Sequence, residues 1–263
     1  MTTPAEVKAC CAAAYSSDLV ALLLGDSYHP GGQALTRRLA AALQLRAGQS
    51  VLDVASGRGT SALTLARDYG ATVLGVDLSA PNVALANDAA EATGISERAD
   101  FRVGDAEKLP VPDESVDAVV CECALCTFPD KAAAAQEFSR VLRPGGRVGI
   151  TDVTVDPDRL PAELTTLSAW VACVADARPA AEYADILGGA GLRVTRVEQH
   201  DEAIARMIDQ IEARLEFVRM TSRATIESPG VDVDRAGPVL GAARAAVADR
   251  VLGYALLVAE KPA

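Results

Sequence analysis

Apolar positions along the chain follow two alternating patterns. Short runs rich in Val, Leu and Ile, namely VLDVA (51–55), TVLGV (72–76), FRVG (101–104), VDAVVC (116–121), RVGITDV (147–153) and LRVTRVEQH (192–200), predict strands. Between them lie Ala/Leu-rich stretches that predict helices. These are TSALTLARDYG, closed by Gly70; PNVALANDAAEATG, with Pro81 near its start and Gly94 at its end; and DKAAAAQEFSRVL, stopped by RPGG. Such alternation predicts βαβ units and an α/β fold with a doubly wound, mostly parallel sheet. The tail departs from it: residues 201–249 are amphipathic and turn-rich, and only then comes a last strand-like run, VLGYALLVAE, expected to return beside the sixth strand. The stripe Ile204, Met207, Ile208, Ile211 and Leu215 has helical spacing and predicts core or lid packing, with His200 capping the helix that begins near Asp201.

Composition narrows the class. At 263 residues, half of them hydrophobic and 23% charged, the chain suits one large domain with helical insertions and is able to bury a core. A formal charge of -11 and a pI near 4.7 argue against nucleic acid or an anionic membrane as partner, because both are polyanions. A small molecule is the expected partner. The start, MTTPAEVKACCAAAY, does not have the pattern of a signal peptide, and a cytoplasmic location is expected; there six cysteines would be buried, metal-binding or catalytic rather than a disulfide framework.

The first strand-to-helix turn, VLDVASGRGT, carries the clearest chemistry. Asp53 ends the strand, the chain turns through Gly57 and Gly59, and a helix starts near Thr60, offering unpaired N–H groups to a ligand. Gly57, Gly59 and Ala62 also fit a loose dinucleotide fingerprint, so a nicotinamide or flavin enzyme competes. Asp53, however, would set a carboxylate against a pyrophosphate, whereas it would favour the ammonium of a methionine moiety. Asp77, ending the second strand, suits a pair of ribose hydroxyls; Asp105, after the third, suits an adenine amino group, with the Ala106 N–H reaching a ring nitrogen.

Taken together, VLDVASGRGT, GVDLS, GDAEKLPVPDESVDAVVC and FSRVLRPGGRVGITDV resemble the successive motifs of class I S-adenosylmethionine-dependent methyltransferases over roughly residues 45–155. That resemblance implies a seven-stranded Rossmann-like sheet in the order 3-2-1-4-5-7-6 with strand seven antiparallel, and S-adenosylmethionine lying across the C-terminal ends of strands one to four. The cofactor set it implies is Asp53, Ala55, Gly57, Gly59, Asp77, Leu78, Asp105, Ala106 and Glu122. Residues 1–45 would form a helical cover, with further helical insertions at 154–190 and 201–249 over the substrate site.

The end of strand four, where the resemblance places the acceptor, reads CECALC, with Cys121, Cys123 and Cys126 in six residues. The thiols are similar in placement to those of the arsenite S-adenosylmethionine methyltransferase family. By that likeness Cys123, Cys173 on a helix LSAWVACV, and Cys11 or Cys10 would hold trivalent arsenic as substrate, its lone pair attacking the methyl group without a general base, and a thiol reductant would be a partner. Cys126, just before the helix opened by Pro129 and Asp130, is expected to have a lowered pKa. Zinc competes weakly, since no CxxC pair recurs. His29 in SYHPGG is expected in a turn covering the cofactor. Three functions follow: methylation of a thiol-bound metalloid, which leads; methylation of an organic oxygen, nitrogen or carbon in a natural product or quinone; and a thiol sensor that keeps the fold as a scaffold.

Overall fold

The computed structural model describes residues 6, 8, 12, 13, 15, 18–25, 27–165, 173–221 and 233–263. Cys10, Cys11 and Trp170 lie outside the described residues. Seven strands form one sheet in the order β3-β2-β1-β4-β5-β7-β6. They are β1 (Ser50–Val54), β2 (Thr72–Asp77), β3 (Ala99–Val103), β4 (Val116–Glu122), β5 (Leu142–Val155), β6 (Arg193–Gln199) and β7 (Leu252–Glu260). The first five pair in parallel, and β7 runs antiparallel between β5 and β6, as expected.

Helices cover both faces: α1 (Asp18–Leu24), α2 (Gly32–Leu43), α3 (Thr60–Tyr69), α4 (Ala80–Ala92), α5 (Lys131–Val141), α6 (Ala180–Gly189), α7 (Asp201–Thr221) and α8 (Val233–Ala248). Local sequence sets their ends. Ser79 accepts from the Asn82 N–H and Asp130 from the Ala133 N–H, so α4 and α5 each start on a side-chain cap. Gly59 and Gly70 bracket α3 at φ 83° and 65°, in the left-handed region that glycine enters without a Cβ penalty. Because the central strands are covered on both faces they read as continuous Val/Leu runs, and two apolar layers result. One contains Leu39, Leu65 and Tyr254; the other contains Phe138, Ile150, Tyr183 and Leu187.

Two expectations need correction. β5 begins at Leu142, so RPGG is part of the strand; a register irregularity between Val116 and Ala118 of β4 absorbs the extra residues. Cys173 is not helical: it sits in a turn with φ 64°. The stripe on α7 is core packing, with Ile204, Ile208 and Leu215 buried and Met207 and Ile211 half-buried. His200 stands directly before this helix, and its carbonyl accepts the Ala203 N–H.

Candidate active site

A cavity of about 440 Å³ opens across the C-terminal ends of β1, β2 and β4. Its walls include most of the set expected from the sequence: Asp53, Ala55, Gly57, Asp77, Leu78, Asp105, Ala106 and Glu122 all line it. Gly59 does not. A Cβ on Gly59 would come within 2.7 Å of the Phe101 ring and 3.0 Å of Ala86, so this glycine exists for the packing of α3 rather than for contact with a ligand. Gly57 is the opposite case, at φ 54° with open space where a Cβ would point.

The floor is strongly acidic. Asp53 is almost fully buried, takes a backbone hydrogen bond from Ala62, and leaves its Oδ2 without a partner. Burial, with the charge of Glu122 beside it, holds its carboxyl well above the usual carboxylate range. Glu122 accepts from Ser61 Oγ at 2.6 Å, Thr36 Oγ1 at 2.9 Å and Thr151 Oγ1 at 3.4 Å, and His29 Nε2 lies 3.6 Å from it. Asp77 accepts the backbone N–H groups of Gly57 and Ser79, both at 2.8 Å, which partly offset the rise that burial causes. Two buried carboxylates, one with an orphaned oxygen, beside an open glycine turn make a cradle for a cationic ligand carrying hydroxyls. The positively charged sulfonium and ammonium of S-adenosylmethionine suit that donor and charge set.

Lys8 also lines the cavity. Lys8 Nζ pairs with Asp105 at 2.7 Å and with Glu107, so Asp105, expected from the sequence to suit an adenine amino group, also holds a lysine. Lys8 carried no sequence signal, because its partners are about a hundred positions away. His29 is buried in the cavity wall, in the turn expected to cover the site, with Nδ1 3.2 Å from the Pro30 carbonyl and Nε2 3.3 Å from Thr36 Oγ1. Tyr28 stands beside it, its ring 5.7 Å below the Arg58 guanidinium and 6.2 Å from Tyr15.

The thiols gather at the other end. Cys123, at φ 53°, lines the cavity; Cys126 and Cys173 are buried and do not. Cys173 Sγ lies 2.9 Å from the Tyr15 hydroxyl and 3.5 Å from the Cys123 carbonyl. Hydrogen bonds from the Cys123 and Cys126 thiols and from Tyr15, with the Lys131 ammonium nearby, hold Cys173 well below the ordinary thiol range against the effect of burial. Cys126 departs from expectation. Its thiol is pushed up, chiefly by burial and then by its contact with Cys173, and the N-terminus of α5 is already capped by Asp130. Its backbone N–H donates to Asp152 Oδ2 at 3.0 Å, and burial pushes that carboxyl up to about 7. Cys121 is buried in the core, its thiol likewise pushed up by burial. Among the described residues no group of three or more His, Cys, Asp or Glu side chains has the arrangement of a metal-ion site. The Cys123 and Cys126 thiols both hydrogen-bond with Cys173.

Comparison with known proteins agrees with this geometry. Residues 52–150 match the model of the methyltransferase domain family. The chain is 32% identical over 262 residues to the 27-O-demethylrifamycin SV methyltransferase of Amycolatopsis mediterranei, covering 94% of each. It is also 32% identical over 186 residues to an arsenite methyltransferase of Halobacterium salinarum, covering 69% of this chain and 46% of that one. Among solved structures, the [4+2]-cyclase SpnF superposes with a TM-score of 0.75 at 28% identity, over 99% of this chain and 97% of that one. The geranyl diphosphate C-methyltransferase of Streptomyces coelicolor shares the fold, with a TM-score of 0.77 at 18% identity over 98% of this chain and 99% of that one. With the acidic cradle, the strand order and a relative matched over almost its whole length, the chain belongs to the S-adenosylmethionine-dependent methyltransferases.

Proposed function

We propose that the chain transfers the methyl group to a hydroxyl oxygen of a bulky organic molecule of the natural-product type. The observation that carries this reading is the make-up of the cavity beyond Glu122, walled by Tyr15, Tyr28, Phe128 and Ala21 and by a single thiol, Cys123. An apolar, aromatic wall with few polar groups suits an organic acceptor. The relative matched over nearly its full length, a 27-O-demethylrifamycin SV methyltransferase, supports the same class.

In this reading Asp77 takes the ribose hydroxyls, Asp105 and the Ala106 N–H meet the adenine edge, and Leu78 lends an exposed apolar surface beside them. Asp53, Ala55, Gly57 and Glu122 hold the cationic methionine end. When bound, S-adenosylmethionine supplies an electrophilic methyl on a sulfonium sulfur. The chain's own part is to orient the acceptor in line with that methyl and to keep water out, a task for the cavity-lining His29, Tyr28 and Lys8. The free thiols suit a reducing compartment such as the cytoplasm.

A thiol-bound trivalent metalloid is the competing acceptor, favoured by the convergence of Cys123, Cys126 and Cys173 and by the arsenite methyltransferase relative. Against it stand Cys126 and Cys173, two thiols behind the cavity wall. Transfer to oxygen would leave the thiol reductant without a role. The test is product analysis after incubation with S-adenosylmethionine and 27-O-demethylrifamycin SV as probe, with arsenite in a parallel sample. A new methoxy group on the organic probe supports the reading; methylated arsenic with an unchanged organic probe overturns it.

A further inference from the structure

Between the end of β1 and the start of α3 three buried polar atoms have no hydrogen-bond partner: Asp53 Oδ2, Ser56 Oγ and Arg58 Nε. All three residues line the cavity. Burying a polar atom without a partner costs free energy, so a cluster of such atoms around one cavity points to a ligand that completes them.

Arg58 is the unusual member. The cavity is lined by three basic residues, Lys8, His29 and Arg58. Lys8 is paired with Asp105 and Glu107, and His29 faces the Pro30 carbonyl on one side and Thr36 and Glu122 on the other. Arg58 makes no ion pair among the described residues, although Asp53, Asp77, Asp105 and Glu122 line the same cavity. Its contact is instead with the Tyr28 ring, 5.7 Å from guanidinium carbon to centroid. A guanidinium laid over an aromatic ring keeps its N–H edge free, and that edge matches the two oxygens of a carboxylate.

We propose that Arg58 is the anion-binding residue of the cavity, its guanidinium taking a carboxylate with the Tyr28 ring as platform. Two molecules in the cavity could bring that group: the cofactor, on its methionine end, or an acceptor, since Tyr28 also belongs to the wall assigned to it above. The inference rests on the cofactor placement proposed above and not on the hydroxyl acceptor.

The backbone around Arg58 suits an anion. The residue is held between Gly57 and Gly59, at φ 54° and 83°, directly before α3. That helix starts with neither a side-chain cap nor an acidic residue in its first turn, which leaves its positive end open to a negative group. One N–H of the turn, that of Ala62, serves Asp53. The two orphaned groups also complement each other. In an amino acid the ammonium and the carboxylate are carried by one carbon; Asp53 Oδ2 can accept from the first while Arg58 donates to the second.

The experiment is calorimetric and needs no turnover. S-adenosylhomocysteine and its carboxamide, which lacks the anionic group, are titrated into the wild type, Arg58→Met and Arg58→Lys. If the cofactor brings the carboxylate, Arg58→Met should bind S-adenosylhomocysteine about 10–100-fold more weakly, as expected for charge-assisted hydrogen bonds, and the carboxamide as the wild type does. Arg58→Lys, which keeps the charge without the fork, should recover part of the loss. If the acceptor brings it, S-adenosylhomocysteine binds both proteins alike. Protein saturated with that ligand should then prefer 6-hydroxy-2-naphthoate to its methyl ester, and Arg58→Met should lose the preference. Equal losses for S-adenosylhomocysteine and its carboxamide would mean that the variant merely disturbs the loop, and would overturn the inference. So would wild-type affinity for every probe in Arg58→Met, which would leave the cofactor's place at Asp53 and Asp77 standing. None of these outcomes depends on which atom receives the methyl group.

Discussion

Asp152→Asn offers the sharpest stability test of the buried polar cluster behind the cavity. Asp152 is fully buried on β5 and accepts the Cys126 N–H on Oδ2 at 3.0 Å and the Val153 N–H on Oδ1 at 2.7 Å. Burial, with the charge of Cys173, raises its carboxyl from 3.8 to about 7, and those hydrogen bonds only partly oppose the rise. A carboxyl with a raised folded-state pKa contributes stability that is complete below the unfolded value, declines as pH rises toward the folded one, and is gone above it. The interval from 3.8 to about 7 is therefore a span over which the wild type loses stability as pH rises. At about 1.4 kcal/mol per unit the whole span is worth about 4 kcal/mol, of which about 2–3 kcal/mol falls between pH 5 and 8. The amide cannot ionise, and it gives up one acceptor oxygen at a pH-independent cost of about 1 kcal/mol. Urea unfolding of reduced protein at pH 5, 6, 7 and 8 measures both curves, and comparing the two proteins cancels most of the titration of neighbouring thiols. Asp152→Asn should be slightly less stable than the wild type at pH 5 and more stable at pH 8. A difference that does not change with pH refutes the reasoning.

Two glycines of one loop should respond in opposite ways. Gly59→Val places a branched side chain at φ 83° against Phe101 and Ala86, so it should cost about 2–5 kcal/mol in urea unfolding, with cofactor affinity falling only as the fold loosens. Gly57→Ala meets open space, so its stability should drop by only about 1–2 kcal/mol from the left-handed backbone, while calorimetry shows weaker S-adenosylmethionine binding. Asp77→Ala should weaken that binding by about 1.5–3 kcal/mol for each charge-assisted hydrogen bond lost, and unchanged affinity would remove Asp77 from the cofactor site.

What could be read from the chain alone was local. The central strands are legible because they are buried on both faces and so are written as Val/Leu runs, and Asp53, Gly57 and Asp77 stand out because a strand-to-helix turn fixes their spacing. The start of β5 was misplaced because RPGG reads as a helix stop, which it is, yet the chain re-enters pairing at once through an irregular register with β4. The acceptor end was far less legible. Tyr15 meets Cys173 across 158 positions and Lys8 meets Asp105 across 97, and no periodicity or motif records such contacts. The cluster CECALC was visible, but alternation along β4 and the turn after it divides its members: Cys121 goes to the core, Cys123 to the cavity and Cys126 behind it. Cys126 was expected to be acidic from its position before a helix, an argument that neglected the desolvation of a fully buried thiol beside Asp152.

The most direct test is which atom receives the methyl group. Reduced protein is mixed with methyl-tritiated S-adenosylmethionine, 27-O-demethylrifamycin SV and arsenite in one vessel under single-turnover conditions, and the label is traced after separation of the products. Tritium is expected on an oxygen of the organic molecule, with none on arsenic. Label carried by methylated arsenic while the organic acceptor stays unlabelled would contradict it.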